Sequence, residues 1–309
     1  MDVELLRQCW FLAGPTAVGK TELSFALADH LNAEILSLDS MAIYRKMDIG
    51  TAKPDANERA RIPHHLIDLV EPHQEFSVAD YVDAAADAVN DILSRNATPL
   101  FVGGTGLYLK ALLRGMFAGP PSDSELRQQL AADLEVRGVT WLHEQLAKVD
   151  AASAARLHPN DTRRVIRAIE VFRVTGKPLS EQQQQPARAK CDWPKAFWLE
   201  PDRAWLHERI HRRVDHMMEA GFLEEVRALR EMTPSISPTA RQALGYRELL
   251  AHLNGECDLP TAVEQMKIGT RQFSKRQQTW FRNLDECQAV EVLPNASTET
   301  LKARLVQTT

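Results

Sequence analysis

A glycine-rich segment, GPTAVGKT at residues 14–21, is the part of the sequence best suited to chemistry. It matches the pattern GxxxxGK[ST], in which glycines let backbone N–H groups turn toward a phosphate chain. The segment lies between a short apolar stretch and a helical pattern, as that motif requires. Lys20 would neutralise phosphate oxygens, and Thr21 would ligate Mg²⁺. The sequence therefore predicts a bound phosphate chain, without indicating which molecule carries it.

Two more polar side chains follow apolar stretches that resemble strands. Asp39 ends the stretch at residues 34–39, and Thr105 follows the stretch at residues 99–103. The carboxyl ends of parallel strands form the ligand crevice of a doubly wound sheet, so we expect Asp39 to face the phosphate site. There a carboxylate could hold Mg²⁺ indirectly or accept a proton from a nucleophile. Thr105 offers a hydroxyl group to a ligand.

Short apolar runs alternate along the chain with longer helical patterns, which is typical of a parallel sheet with helices on both faces. The strands are expected at residues 10–13, 34–39, 65–69, 99–103 and 196–200. About 90 residues separate the last two strands, too many for one crossover. We predict an α/β core of the P-loop NTPase type, with its C-terminal helices, from residues 1–120 and 191–309. Residues 121–190 are predicted to form a helical insertion domain.

Helix boundaries can be placed in both parts of the chain. Caps and periodicity predict helices from about residue 122 or 124 to 134, from Asp161 to Val174, from Leu206 to Met218 and at residues 261–282.

The composition indicates an ordinary globular protein. The chain has 309 residues, of which 44% are hydrophobic and 26% charged. It lacks the basic start of a signal peptide, and no apolar stretch approaches the ~20 residues of a membrane span. Its four cysteines form no CxxC pair, which favours a reducing compartment. We therefore expect a cytoplasmic protein.

The net charge of −5 conceals an uneven distribution. Residues 1–100 contain 16 acidic and 8 basic residues, whereas residues 156–190 contain 8 basic and 3 acidic residues. In the predicted helix after Asp161, Arg163 and Arg167 lie opposite the apolar face, free to meet phosphates. A second basic stripe contains Lys267, Arg271, Lys275 and Arg282, whereas Phe273, Gln277, Trp280 and Leu284 follow a packing-type spacing. These stripes either bind a nucleic acid or are solvated helix faces.

The segment HERIH at residues 207–211 matches the zinc-protease pattern HExxH. A third ligand is not identifiable, and Leu206, Ile210 and Val214 give the same helix a core-type spacing. A phosphate loop also has no role in peptide hydrolysis. We interpret the match as a coincidence.

Nearly end to end, the chain resembles the bacterial tRNA dimethylallyltransferases, also called tRNA isopentenyltransferases. The motifs that carry the resemblance are GPTAVGKT at residues 14–21, Asp39 with Ser40, MDIGTAKP at 47–54, PHHLID at 63–68, GGTGLY at 103–108, HPND at 158–161 with the arginines that follow, and RQALGY at 241–246. One position departs from the pattern. Many members have Gln after the Asp-Ser-Met triplet, where this chain has Ala42, so recognition of the target base would depend on its neighbours.

The resemblance implies transfer of a dimethylallyl group from dimethylallyl diphosphate to N6 of the adenosine at tRNA position 37, immediately 3′ of the anticodon. The products would be N6-dimethylallyladenosine and diphosphate, with Mg²⁺ as cofactor. Asp39 and Thr105 would be the catalytic residues, Asp39 accepting the N6 proton and Thr105 orienting the leaving group. Thr21 would ligate Mg²⁺.

The same resemblance implies two sets of binding residues. Those expected to bind the diphosphate are Gly14, Pro15, Thr16, Ala17, Val18, Gly19, Lys20, Thr21 and Arg213. Those expected to contact tRNA are Asp39, Ser40, Met41, Ala42, Thr105, Arg127, Arg163, Arg164, Val165, Ile166, Arg167, Arg241, Gln242, Ala243, Leu244, Gly245 and Tyr246. We expect the enzyme to act as a monomer.

Other classes of protein remain open from the residues alone. A P-loop kinase of a small metabolite or nucleotide would explain the sheet, the phosphate loop and Asp39, but not the basic insertion. A GTP switch is disfavoured because the sequence has no Asn-Lys-x-Asp guanine-reading motif.

Overall fold

The computed structural model of the chain describes residues 2–115, 119–120, 122–182 and 195–308. The chain divides into two compact units. The first contains Met1–Gly115 and Cys191–Thr309, and the second contains Met116–Lys190. The second unit is thus an insertion between two halves of the first.

The first unit is built on a parallel sheet. Its strands are β1 (Trp10–Ala13), β2 (Ala33–Leu38), β3 (His64–His65), β4 (Thr98–Gly103), β5 (Ala196–Pro201) and β6 (Gln288–Val292). They lie side by side in the order β3-β2-β4-β1-β5-β6, and each neighbouring pair is parallel. All four residues of β1 are buried, as expected for a strand with partners on both edges and helices on both faces.

Helices occupy both units. The first unit begins with α1 (Val3–Arg7), α2 (Lys20–Leu31), α3 (Ala56–Arg61), α4 (Val78–Ser94) and α5 (Gly106–Arg114). The second unit contains α6 (Ser124–Val149), α7 (Ala151–Arg156), α8 (Thr162–Thr175) and α9 (Leu179–Gln182). The first unit continues with α10 (Arg203–Glu219), α11 (Phe222–Arg230), α12 (Pro238–Arg241), α13 (Tyr246–Leu253), α14 (Leu259–Arg282) and α15 (Thr298–Gln307).

The two faces of the sheet are covered by different helices. On one face, α2, α10 and α15 pack against residues such as Leu12 and Phe197. On the other, α4, α5 and the end of α14 pack against Phe11 and Phe101. The adjacent strands β1 and β4 are therefore followed by helices on opposite faces, which makes their carboxyl ends a topological switch point. Ligands of open α/β sheets bind at such points.

A third core lies among α10, α11, α12, α13 and α14. It buries Phe222 against Tyr246, with ring centroids 4.9 Å apart and planes at 81°. Ile43, Tyr44 and Met47, from the segment after β2, pack into the same core. This helical layer therefore supports the loop that follows Asp39.

The second unit has a core of its own, formed by α6, α7, α8 and α9. The Asp123 side chain caps α6, and Gly138, with φ of 81°, interrupts this helix. Helix α8 lies between Asp161 and the left-handed C-cap Gly176, where the sequence predicts a helix. Val165, Ala168 and Ile169 face the core, as the helical period predicts.

The sheet differs from the sequence expectation at its two edges. Strand β3 ends after two residues because Leu66 and Asp68 adopt positive φ angles of 61° and 55°. Strand β6 was not predicted, because its residues are mostly exposed and show no continuous apolar run. None of the helices in the described part of the chain has the length and apolar character needed to span a bilayer. Cys9, Cys257 and Cys287 are free thiols, and Cys191 lies outside the described residues.

Candidate active site

The phosphate loop connects the central strand β1 to helix α2. Gly19 is the N-cap of α2 and has a φ of 103°, a conformation that strongly favours glycine. Because glycine has no side chain, no N-cap side chain bonds the first N–H groups of α2, and such groups suit an anion. Lys20 Nζ donates to the carbonyl oxygens of Gly14 at 2.9 Å and Pro15 at 2.7 Å. The loop thus has the form of an anion cradle with its lysine folded back on the backbone.

Two cations and one carboxylate interact electrostatically beside this loop. Burial is the main reason that the pKa of Lys20 falls from 10.5 to about 7, and the neighbouring charge of Arg213 lowers it further. Burial also lowers the pKa of Arg213, while the charge of Asp39 opposes the shift in both cations. The structure thus brings together Lys20, Arg213 and Asp39, from three separate elements. Together they combine a guanidinium, an amine that titrates near neutral pH and a carboxylate.

Asp39 directly follows β2, and the backbone fixes its orientation. Its Oδ1 accepts hydrogen bonds from the N–H groups of Met41 at 2.8 Å and Ala42 at 3.3 Å. No group in the described part of the chain donates a hydrogen bond to Oδ2. One oxygen therefore anchors the carboxylate, and the other remains able to accept a proton.

Thr105 follows β4, the neighbour of β2 in the sheet. Its Oγ1 accepts a hydrogen bond from the N–H of Ser40 at 3.0 Å and lies 3.5 Å from the Ser40 hydroxyl oxygen. The N–H groups of Gly104 and Thr105 donate to the carbonyl oxygen of Leu38 at 3.1 and 3.0 Å. The loops that carry Asp39 and Thr105 are therefore tied together by hydrogen bonds.

Two side chains that the sequence reading did not assign to the site hold the phosphate loop from outside. Gln277 Oε1 on α14 accepts a hydrogen bond from the N–H of Thr16 at 2.9 Å. Arg209 Nε on α10 donates to the carbonyl oxygen of Ala17 at 2.6 Å. The glycine motif gives no signal for either, because both come from distant helices.

Of the strip expected to contact tRNA near Asp39, Ser40 and Met41 are partly exposed, whereas Ala42 is only 5% exposed. The Ala42 methyl group is packed inside the protein, and its carbonyl oxygen accepts a hydrogen bond from the N–H of Asp68. This side chain is therefore not available as a surface contact.

The arginines of the second unit differ in whether they pair with a buried carboxylate or are exposed to solvent. Glu170 is fully buried and accepts from Arg127 Nε at 2.9 Å and from Arg167 Nη1 at 2.6 Å. Burial alone would raise the pKa of Glu170, but the hydrogen bonds from the two arginines outweigh it and hold that pKa below its usual value. Arg163 and Arg164 are exposed, whereas the Val165 side chain is 1% exposed and belongs to the core. Ile166 is partly exposed and packs against the same core.

The segment at residues 241–246 is mostly internal. Arg241 and Gln242 are exposed and Leu244 is partly exposed, but Ala243, Gly245 and Tyr246 are buried. The Tyr246 hydroxyl donates to Glu225 Oε1 at 2.6 Å. Glu225 also accepts from the N–H groups of residues 48, 49 and 50. In this structure the Tyr246 side chain supports the loop after β2 and does not reach the surface.

The faces of α14 differ from the sequence expectation. The buried residues are Ala262, Met266, Thr270, Ser274, Gln277 and Phe281. Phe273 and Trp280, which the sequence places on a packing face, are 37% and 38% exposed. Each lies beside a cation: Arg276 is 5.8 Å from the Phe273 ring centroid, and Lys110 is 5.8 Å from that of Trp280. Of the basic stripe, Lys267 and Arg282 pair with Asp215 and Glu200.

The side chains of the HExxH segment make other contacts on α10. Ile210 is fully buried in the sheet core, and His211 Nε2 contacts the guanidinium of Arg271. Among the described residues, no group of three His, Cys, Asp or Glu side chains is arranged to hold a metal ion. Arg209, within the HExxH segment, supports the phosphate loop through its hydrogen bond to Ala17.

The loop at the switch point of a parallel sheet places the chain among P-loop α/β proteins. Residues 42–284 match the family model described as IPP transferase, and residues 7–70 match that described as isopentenyl transferase. The chain therefore belongs to the IPP transferase family.

Relatives agree with this assignment over nearly the whole chain. A tRNA dimethylallyltransferase of Stenotrophomonas maltophilia is 47% identical, covering 87% of this chain and 87% of the relative. One of Alkaliphilus metalliredigens is 42% identical, covering 95% of each. The crystal structure of a tRNA isopentenylpyrophosphate transferase from Bacillus halodurans has a TM-score of 0.69 at 38% identity, covering 96% of this chain and 94% of that one. A eukaryotic dimethylallyltransferase described as acting on tRNA has a TM-score of 0.78 at 29% identity, covering 96% of this chain and 77% of that one.

Proposed function

We propose that the protein transfers a dimethylallyl group from dimethylallyl diphosphate to N6 of the adenosine at tRNA position 37. The observation that carries the proposal is the phosphate loop at the switch point, with Lys20 held on its backbone and the Asp39 carboxylate anchored by the loop after β2, in a member of the IPP transferase family. A phosphate cradle beside a carboxylate suits a reaction in which a diphosphate leaves and a nucleophile loses a proton.

The phosphate loop acts on the leaving group. When the bond between the allylic carbon and the bridging oxygen breaks, the electron pair stays on the diphosphate. Lys20, Arg213 and the N–H groups at the start of α2 stabilise that added negative charge. The N–H of Thr16 is bonded to Gln277, so the backbone donors left for the phosphates follow it in the loop. Thr16 itself is partly exposed.

Asp39 acts on the nucleophile. The N6 lone pair forms the new bond to the allylic carbon, and the nitrogen then carries an excess proton. The free oxygen of Asp39 accepts this proton, while its other oxygen keeps the carboxylate in place through Met41 and Ala42. Thr105 is tied to Ser40 in the neighbouring loop and orients the groups around the reacting atoms.

The residues at the mouth of the loop fit Mg²⁺. Thr21 is exposed and follows Lys20 at the start of α2, so its hydroxyl is a hard oxygen ligand beside the phosphate site. Mg²⁺ commonly takes one or two protein oxygens and completes its coordination with phosphate oxygens and water. When bound there, the ion would neutralise diphosphate charge.

The tRNA contacts follow from exposure. Arg163 and Arg164 are exposed cations in the first turn of α8 and suit backbone phosphates. The target adenosine belongs to a single-stranded loop, where leaving the base stack costs little. We place this activity in the cytoplasm, where tRNA is available, and propose that the protein acts as a monomer.

The decisive experiment uses labelled dimethylallyl diphosphate, Mg²⁺ and unmodified tRNA. We expect label in the tRNA, and mass spectrometry of the digested nucleosides should place it on N6 of one adenosine. A matched tRNA with guanosine at position 37 should stay unlabelled. No transfer to tRNA, together with consumption of ATP in the presence of a small hydroxyl acceptor, would refute the proposal in favour of a kinase.

A further inference from the structure

Gln277 occupies an unusual position between two loops of the site. It lies on α14, is 6% exposed, and uses both ends of its amide group. Its Oε1 accepts from the N–H of Thr16 at 2.9 Å, and its Nε2 donates to the carbonyl oxygen of Gly104 at 2.9 Å. Reversing the amide would set two acceptors against each other at Gly104 and two donors against each other at Thr16, so the two contacts define one orientation.

The glycine at position 104 fits this arrangement. A Cβ at Gly104 would overlap Nε2 of Gln277 and lie 3.2 Å from the carbonyl oxygen of Gly14. The preceding Gly103 is also closely packed, because a Cβ there would overlap the backbone of Leu38. The glycine pair thus lets the Thr105 loop approach the phosphate loop, with the Gln277 amide filling the space between them.

We infer that Gln277 is a positioning residue for the proposed transfer reaction: it fixes the phosphate loop against the loop that carries Thr105. The inference rests on the proposed function for the identity of the reaction. The two hydrogen bonds of Gln277 are observed whatever the reaction is. One hydrogen bond sets the phosphate loop at Thr16, and the other sets the backbone one residue before Thr105. A misplacement of about 1 Å between such groups can cost on the order of 10²-fold in rate.

Two substitutions separate positioning from packing. Gln277→Met keeps a similar volume and removes both hydrogen bonds. Gln277→Glu keeps the shape and the acceptor for Thr16, but as a carboxylate it loses the donor to Gly104. Gln272→Met, at an exposed position of the same helix, is the matched control. We expect Gln277→Met to lower kcat by roughly 10- to 100-fold and leave the KM for tRNA within about twofold. The control should match the wild type.

The Gln277→Glu variant gives a readout that packing alone would not change. Burial raises the pKa of a carboxyl group, and once protonated the introduced carboxyl group could donate to Gly104 while accepting from Thr16, as the amide does. The rate of Gln277→Glu relative to wild type, measured at each pH, should therefore rise as the pH falls from 8 to 6. A flat ratio would overturn the inference, as would variants whose folded fraction retains the wild-type kcat.

Binding of inorganic diphosphate separates this inference from the proposed function. Calorimetry should show about fivefold weaker binding to Gln277→Met, the equivalent of one ordinary hydrogen bond, and unchanged binding to Gln272→Met. If the wild type transferred no label to tRNA, the proposed function would fail, and the diphosphate titration would still test whether Gln277 holds the phosphate loop in place. Unchanged diphosphate affinity in Gln277→Met would refute the positioning role of Gln277 itself.

Discussion

The ammonium group of Lys20 is buried, so the phosphate site can be tested by counting the protons taken up when diphosphate binds. Burial, with a smaller effect of Arg213, lowers the pKa of Lys20 from 10.5 to about 7. At pH 8, one unit above that pKa, roughly nine in ten Lys20 side chains are neutral in the free protein. A bound diphosphate favours the charged form, because its negative oxygens lie against the ammonium group. Diphosphate binding at pH 8 should therefore add close to one proton to Lys20.

The assay is a calorimetric titration with inorganic diphosphate at pH 8 and fixed Mg²⁺, in buffers of different ionisation enthalpy. The dependence of the binding heat on buffer gives the number of protons taken up. Lys20→Arg is the control, because a guanidinium stays charged throughout this pH range. The diphosphate's own titration is common to both proteins, so the wild type should take up roughly 0.9 proton more than the variant. Equal uptake would refute the argument that Lys20 is neutral in the free site.

The other predictions concern the base, the tRNA surface and the supporting loop. Asp39→Asn should lower kcat by ~10² or more with tRNA affinity intact in filter binding, since it removes a general base; an equal loss of both would indicate a positioning role. Replacing Arg163 and Arg164 together by Ala should reduce the slope of log K against log salt by between one and two units; an unchanged slope would mean a merely solvated face. Tyr246→Phe should lower the free energy of unfolding by about 1 kcal/mol in urea denaturation, because Glu225 loses a hydrogen bond. Weaker tRNA binding without lost stability would instead support direct contact by Tyr246.

The parts of the fold that the sequence predicts well are those specified by local pattern. The apolar run of β1, the glycine loop and α2 lie next to one another in sequence, so periodicity and motif indicate the same structure. The edge strand β6 gave no such signal, since exposure on its outer side removes the continuous apolar run. Positive φ angles at Leu66 and Asp68 shorten β3, and an apolar pattern cannot reveal them.

Within the site, contacts between residues far apart in the sequence are the ones that the sequence does not predict. The sequence predicts that Asp39 and Thr105 lie near each other, because each comes within two residues of the end of a parallel strand, and the structure joins their loops by a hydrogen bond. The hydrogen bond between Thr16 and Gln277 joins residues 261 positions apart. The helical spacing correctly indicated that Gln277 is buried, but no local pattern identifies the backbone groups that a buried amide will meet.

In the basic insertion, the exposure of each arginine is a better guide to tRNA binding than the number of charges. The sequence predicts arginines of the insertion at the tRNA, yet Arg127 on α6 and Arg167 on α8 are bonded to the buried carboxylate of Glu170. Removing either would leave a buried charge with fewer partners, so its effect on tRNA binding would be mixed with a loss of stability. Arg163 and Arg164 are not among the partners of Glu170 in the described residues. Among these four arginines, the salt dependence of tRNA binding should therefore follow Arg163 and Arg164, although all four contribute equally to the net charge.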